Sequence, residues 1–571
     1  MNLGRWTRRA LLLAAIVYAA AALRYRVIGT DGQAWQNTIN GDGAGYHGML
    51  VGLFMHGNPA KAPIRPAFFT PAGGGHVIKY SCGAPLMQAP FFLIAHAIAN
   101  MRGADGLSGL GIEYQTGVLV AGLTWAMLGL LLIARIGARA GIADNVTAFV
   151  LLLLALGTGL MYYAIITPAM SHAYGFAAVS WSLYEAQGVW LGRRRALQRM
   201  AIALGVMALV RPTLGLVLFM LPAVALLSPG SWRHALAPRA IVSAAAIGTV
   251  VLLIQPLLWK LQCGAWLADG YAAEGFNWSR PRIWSVLFGA RKGFFFYWPA
   301  LLLLLPALVW ALRRNPRPMA LVLLGLVATA YATSAWWNWY YGHGYGMRAL
   351  IDVLPACALV LLAWLGAMRM QARSSIMICT VPLILLQLFQ SWQYEMGIIH
   401  PFNMDREKYA LSFLRTDAGA AQRFGNGYIA ELHAPHGWDT LAVTSLTRNG
   451  ILELSATNMF SPALRLSHDD LPIGRQLYAE IALQRRAIDP LASDSVMIVY
   501  TYATSEQQRM HVTFAMNDIR GLNDACWRHW RHAFNVPIAL PGEELSIYLW
   551  HTGKGRVLVR DLSVAVRAVR D

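Results

Sequence analysis

Acidic residues are scarce in this chain. Of 571 residues only 28 are Asp or Glu, against 47 Lys and Arg, and charged side chains make up 13%. Soluble domains carry about 25%, so the deficit points to a polytopic membrane protein. The formal charge of +19 would suggest nucleic acid in a soluble chain. Here the arginines stand in short segments between apolar runs, which membrane topology explains with no nucleic acid partner. Cysteine is sparse too. Cys82, Cys263, Cys357, Cys379 and Cys526 show no C-x-x-C spacing, which argues against a metal knuckle or a disulfide scaffold. Cys82 and Cys263 fall in outer segments and are the pair that could meet. No internal repeat or low-complexity tract stands out.

What the chain does have is apolar runs. Arg5, Arg8 and Arg9 precede the run 10–23, which reads as an uncleaved first helix, a cleaved signal peptide being the other reading. Residues 29–83 are polar and rich in Gly and Pro, a long loop. The run 84–99 starts with Pro85 and Pro90 and falls short of the roughly 20 residues a span needs. It predicts a helix lying in or dipping into the outer interface, so that 29–113 stays on one side. Further spans fall near 114–134, 146–165, 172–191, 198–210, 213–227, 240–259, 295–312, 318–335, 349–368 and 374–393. With the first helix this makes about 11 transmembrane helices. Arg211-Pro212 reads as an outward turn between two short helices, one kinked helix being the other reading, since proline bends or breaks a helix. The short inner segments then collect Arg5, Arg8 and Arg9, Arg135 and Arg139, Arg193 to Arg195 and Arg199, Arg233 and Arg239, Arg313, Arg314 and Arg317, Arg369 and Arg373. The short outer turns hold Arg211 and Arg348. That is the positive-inside pattern. It places the N-terminus in the cytoplasm and the loops 29–113 and 260–293 outside.

Past residue 395 the pattern changes. Leu545, Ile547 and Leu549 alternate with Ser546, Tyr548 and Trp550, and Leu562, Val564 and Val566 repeat the period. Period two with turns such as Pro541-Gly542 predicts antiparallel strands. About eight fit in 450–570, as in a β-sandwich or jelly roll. The expected architecture is an α-helical polytopic membrane domain, 1–395, followed by an extracytoplasmic all-β sandwich, 396–571.

Polar features then converge at the outer depth. Gly41-Asp42-Gly43-Ala44-Gly45-Tyr46-His47 sets one carboxylate among glycines, a pattern that also makes an ordinary turn. Lys79-Tyr80 precedes the interfacial run. Met170-Ser171-His172-Ala173-Tyr174 opens a span, and Arg211 sits at an outer turn. Glu274-Gly275-Phe276-Asn277-Trp278 and Arg291-Lys292-Gly293-Phe294 lie in the second loop. Trp336-Trp337-Asn338-Trp339-Tyr340-Tyr341-Gly342-His343-Gly344-Tyr345-Gly346-Met347-Arg348 joins two spans. Polar residues kept at membrane depth commonly mark a functional site. Bland roles compete: Trp339 and Tyr340 suit an interfacial aromatic belt, Arg291 and Lys292 suit anionic headgroups of membrane lipids, and Glu185 reads as structural.

In order and topology these motifs resemble the GT-C-fold glycosyltransferases, integral-membrane enzymes that use polyprenyl-phosphate-linked sugars. The resemblance covers 1–395. It implies a bacterial-type inner-membrane enzyme that moves a sugar from the lipid carrier to an extracytoplasmic glycan, lipid or protein acceptor, inverting the anomeric centre. Asp42 would be the general base. Arg211, Arg291, Lys292 and Arg348 would hold the donor phosphate. Tyr46, His47, Lys79, Tyr80, His172, Glu274, Trp336, Trp337, His343 and Tyr345 would line the substrates. Several members pair two acidic residues in the first loop. Asp42 has no acidic neighbour, so no cofactor is fixed and a divalent metal stays open. The rival readings are a transporter or flippase for lipid-linked glycans, and a non-catalytic scaffold whose β-domain binds polysaccharide.

Overall fold

The computed structural model describes residues 2–28, 34–103, 108–233, 237–271, 274–401, 404–416, 437–447, 450–475, 477–488, 496–505, 507–515, 527–536, 538–553 and 555–570. Cys526 lies outside them. Two compact units emerge. The first comprises Met1–Tyr341 and Tyr345–Ser391, the second Gly342–Gly344 and Trp392–Asp571.

The first unit is a helical bundle. Its helices are α1 (Arg5–Ala22), α2 (Asp42–His56), α3 (Gly83–Met101), α4 (Ile112–Arg139), α5 (Asp144–Leu156), α6 (Leu160–Ile165), α7 (His172–Trp190) and α8 (Ala196–Val210). After the tight 3₁₀ coil Pro212–Leu226 come α9 (Pro238–Leu252), α10 (Ile254–Cys263), α11 (Ile283–Phe288), α12 (Phe294–Tyr297), α13 (Leu304–Arg314), α14 (Pro316–Ala335), α15 (Leu354–Ala367) and α16 (Met370–Glu395), whose residues past Ser391 belong to the second unit. A two-stranded hairpin, β1 (Phe69–Ala72) with β2 (Gly75–Ile78), lies between α2 and α3. Among the described residues seven helical segments are long and apolar enough to cross a membrane. Their outward faces expose large apolar side chains such as Leu12, Val242, Val250, Val327, Ile378 and Leu385. A water-facing surface does not carry such a girdle.

Contacts between helix ends sort the bundle into two ends. At the base, the Asp144 carboxylate accepts from the Trp6 and Thr7 amides, Arg139 donates to the Tyr184 carbonyl, and Asn315 donates to the Ala225 carbonyl. At the opposite end, Arg26 donates to the Ile166 carbonyl and Asn58 to the Leu261 carbonyl. The arginine-bearing turns therefore share the base, and the first loop shares the other end. Helix α3 is longer than the run 84–99 suggests, and at 19 residues it could cross. It nevertheless runs antiparallel beside only one half of α4. Trp125 donates to the Met87 carbonyl, His96 meets the Tyr114 hydroxyl, and Arg102 pairs with Glu113. That half leads away from Arg139, so α3 does not reach the base.

The second unit holds α17 (Arg406–Ser412) and the strands β3 (Trp438–Ser445), β4 (Leu452–Leu454), β5 (Leu464–Leu466), β6 (Leu477–Ala487), β7 (Val496–Ala503), β8 (Gln508–Ala515), β9 (Arg528–Val536), β10 (Glu544–His551) and β11 (Val557–Val569). One antiparallel sheet runs β5-β10-β7-β8, the other β3-β11-β6-β9 with β4 also on β11. Inward residues of both form a single core, including Ile481, Ile498, Leu545, Ile547, Leu549 and Val564. On β11 the alternation changes phase. Val557 and Val559 point inward, then Leu562, Val564 and Val566. A bulge between Arg560 and Ser563, with Asp561 at φ +54°, absorbs the extra residue.

Candidate functional site

Gly41, at φ +51°, turns the chain into α2 and makes Asp42 its first residue. A carboxylate is favoured there by the unsatisfied amides of a helix start. Asp42 Oδ1 accepts from the Tyr80 hydroxyl at 2.9 Å, and Oδ2 accepts from Arg348 Nη2 at 2.8 Å. Burial pushes the Asp42 carboxyl up, but the Arg348 guanidinium, the Tyr80 hydroxyl and the Lys79 ammonium together hold it below the ordinary value. The glycines around it serve packing within the protein. A Cβ on Gly43 would stand 2.4 Å from that of Ala169, and one on Gly45 2.3 Å from the Tyr80 ring.

Arg348 opens the segment leading into α15 and is 9% exposed. Its Nη1 lies 3.2 Å from Met170 Sδ, in the turn before α7. Arg211 follows the last residue of α8 and pairs with the fully buried carboxylate of Asp352. Asp352 also sits against α7, where a Cβ on Gly175 would fall 2.4 Å from its Oδ1. Lys292 is 1% exposed. Burial, with Arg291 and Arg348 nearby, holds its ammonium well below the ordinary lysine value. The Arg291 guanidinium lies 3.5 Å above the Tyr340 ring.

A second group lines up beside Tyr80. Lys79 Nζ reaches Glu274 Oε1 at 2.8 Å, and Trp337 Nε1 donates to Glu274 Oε2 at 3.0 Å. Trp336 packs edge-on against Tyr271 and Phe276. The Tyr46 ring lies 4.6 Å from that of Tyr80, and its hydroxyl is hydrogen-bonded to Ser171. His172 starts α7 against the Tyr163 ring. Asp42, Tyr46, Tyr80, Lys79, Glu274, Trp336, Trp337, His172, Arg211, Lys292 and Arg348 are thus linked through contacts or neighbouring charges in one unit.

Three expected residues are placed otherwise. His47 faces the other side of α2, bonded to the Gly109 carbonyl at 2.7 Å and packed on Phe92 and Tyr114. Tyr345 is fully buried, donating to the Gln387 carbonyl and packed on Tyr162 and Tyr297. His343 belongs to the second unit, against the Tyr394 ring. Cys82 and Cys263 are free thiols that form no disulfide. Sequence reasoning passed over Asp352, although an acid inside the apolar run after Arg348 was itself a signal.

The donor set does not fit a divalent metal. Among the described residues no three His, Cys, Asp or Glu side chains come together to hold an ion. Asp42 is the one carboxylate bonded to Arg348 and Tyr80, with the Lys79 ammonium acting on it as well.

Fold and site together define a polytopic membrane protein with a cluster of basic and acidic side chains at the loop end of its helices. No family model matches the chain, and no curated protein does. Among solved structures it is similar to ArnT from Cupriavidus metallidurans bound to undecaprenyl phosphate, at 15% identity, TM-score 0.41, over 68% of this chain and 65% of that one. It is also similar to the oligosaccharyltransferase AglB from Archaeoglobus fulgidus in complex with an inhibitory peptide and a dolichol-phosphate, at 12% identity, TM-score 0.38, over 72% and 60%. A 23% portion is similar to the CBM22-1 xylan-binding domain of Paenibacillus barcinonensis Xyn10C, at 15% identity, TM-score 0.16, over 96% of that chain. The chain thus spans less than two thirds of the length of the two membrane proteins.

Proposed function

We propose that this chain is a GT-C-type membrane glycosyltransferase. It moves a sugar from a polyprenyl-phosphate-linked donor to a glycan, lipid or protein acceptor outside the inner membrane. The observation that carries the reading is the pairing of Asp42 with Arg348 beside Arg211 and Lys292, at the loop end of an apolar bundle. Clustered guanidinium and ammonium groups suit a phosphate, and the apolar helices suit its prenyl chain.

The pairing also orders the steps. A carboxylate held by a guanidinium is a weak base. A donor phosphate competes for Arg348, and as it does so Asp42 Oδ2 is released and grows more basic. The acceptor hydroxyl then gives its proton to Asp42 while its oxygen attacks the anomeric carbon. The bond from that carbon to the phosphate oxygen breaks, and its electron pair leaves with the phosphate. One displacement inverts the centre. Lys79, Glu274, Trp336 and Trp337 form the wall that receives the sugars, with aromatic faces for C–H groups and charged edges for hydroxyls. In this reading the chain crosses about 11 times, the N-terminus is cytoplasmic, and 396–571 is an extracytoplasmic domain.

The test is reconstitution in nanodiscs with polyprenyl-phosphate sugars and envelope glycans, read by mass spectrometry. Sugar transfer that disappears in Asp42→Asn is the expected result. Movement of intact donor across the bilayer without transfer would replace this reading with a flippase.

A further inference from the structure

Helix α7 begins inside the cationic cluster, and its start carries buried donors that lack partners. The first amides of any helix, here those of His172, Ala173 and Tyr174, have no acceptor within the helix. His172 is 4% exposed, and among the described residues its Nδ1 meets no hydrogen-bond partner. Its ring packs edge-on against the Tyr163 ring, and the charges of Arg211 and Arg348 are near enough to act on it. The buried Nε of Arg348 also meets no partner among the described residues. One of the same guanidinium's other nitrogens is spent on the thioether of Met170, a weak acceptor. Met170 and Ser171 lead directly into His172, so Arg348 sits at the turn that opens α7. Buried donors in native proteins are nearly always satisfied. An orphaned imidazole nitrogen at a helix start, beside a guanidinium with its own orphaned Nε and a second guanidinium, whose present partners are Asp42 and Asp352, describes an anion site.

We propose that the N-terminus of α7, with His172 Nδ1 as donor and Arg348 and Arg211 as flanking charges, seats a phosphoryl group. The inference rests on the reading above and deepens it by naming the atoms that receive the carrier phosphate. It also assigns His172 to the phosphate rather than to the sugar. Lipid phosphate and free phosphate share this chemistry.

The full chain in nanodiscs is titrated with a short-chain prenyl monophosphate, with inorganic phosphate and with the uncharged prenol. Wild type binds the prenyl monophosphate and not the prenol. His172→Ala weakens that binding by roughly tenfold or more, the loss expected for one hydrogen bond to a charged group. His172→Asn restores part of it, because the amide nitrogen stands near the Nδ1 position, and both variants are compared at matched folded amounts. If both bind like wild type while Arg348→Ala does not, the α7 seat is wrong and the transferase reading survives. If wild type binds inorganic phosphate in a His172-dependent way and ignores the prenyl monophosphate, the seat stands and the lipid donor falls. Binding of neither phosphate by wild type overturns both.

Discussion

At the scale of single residues, the Asp42–Arg348 contact makes two side chains with different duties depend on each other. Asp42→Asn removes basicity but keeps size, so turnover falls by about 100-fold or more while donor affinity survives or rises, since the carboxylate no longer competes for Arg348, measured on purified protein in nanodiscs. Arg348→Ala weakens donor binding by roughly 10- to 150-fold, the loss expected for a charge-assisted contact. Arg348→Lys recovers part of it, since lysine lacks the planar fork. The pH dependence follows in sign. Burial alone would raise the Asp42 pKa, and Arg348 is the leading opposing influence. The acid limb of kcat/KM in wild type therefore lies below the ordinary aspartate value of about 3.9. In Arg348→Ala it moves up. The stabilisation Asp42 contributes is present above its unfolded pKa and is lost as pH falls through the lowered folded one. An acid limb that stays in place in Arg348→Ala would break the link between the two residues.

At the scale of elements, α2 decides whether the site exists. Gly43 lets it approach Ala169, and Gly45 lets it approach Tyr80. Gly43→Ala overpacks that seam and costs about 1–3 kcal/mol, seen as a lower Tm together with lost turnover. Gly74→Ala is the matched control, since nothing stands within 4 Å of the added methyl. Equal Tm values for the two variants would show that the seam is loose. The same glycines explain why α2 was hidden in the sequence. Gly43, Gly45, Gly48 and Gly52 depress helix propensity, so 29–83 reads as a loop, although Met49, Leu50 and Val51 are buried in it. The β-strands were legible because burial on one face imposes period two, as on β10, where Leu545, Ile547 and Leu549 point inward. The partners of Asp42 and Arg211 were not legible. Arg348 and Asp352 lie in distant sequence, and no local pattern specifies a contact that tertiary packing makes.

At the scale of the molecule, the orientation proposed from the arginine-rich turns is one that cysteine labelling checks. An impermeant reagent added to intact cells should label Gly450→Cys and spare Asn315→Cys, and the reverse would invert the protein in its membrane. The second unit, with its own core between two sheets, should fold when 396–571 is secreted alone. Its circular dichroism should be β-rich and its melting cooperative, whereas a soluble product without a transition would make the domain dependent on the rest. The Asp42–Arg348 contact also has a history within each molecule's synthesis. Its partners are 306 residues apart. At about 5–20 residues per second, Asp42 waits roughly 15–60 s for Arg348 to leave the ribosome. Tyr80, only 38 residues downstream, is made within seconds, and Lys79 with it. A nascent chain thus meets the Tyr80 hydroxyl and the Lys79 ammonium long before the guanidinium arrives, and translation completes the Asp42 cluster only after most of the bundle has been made.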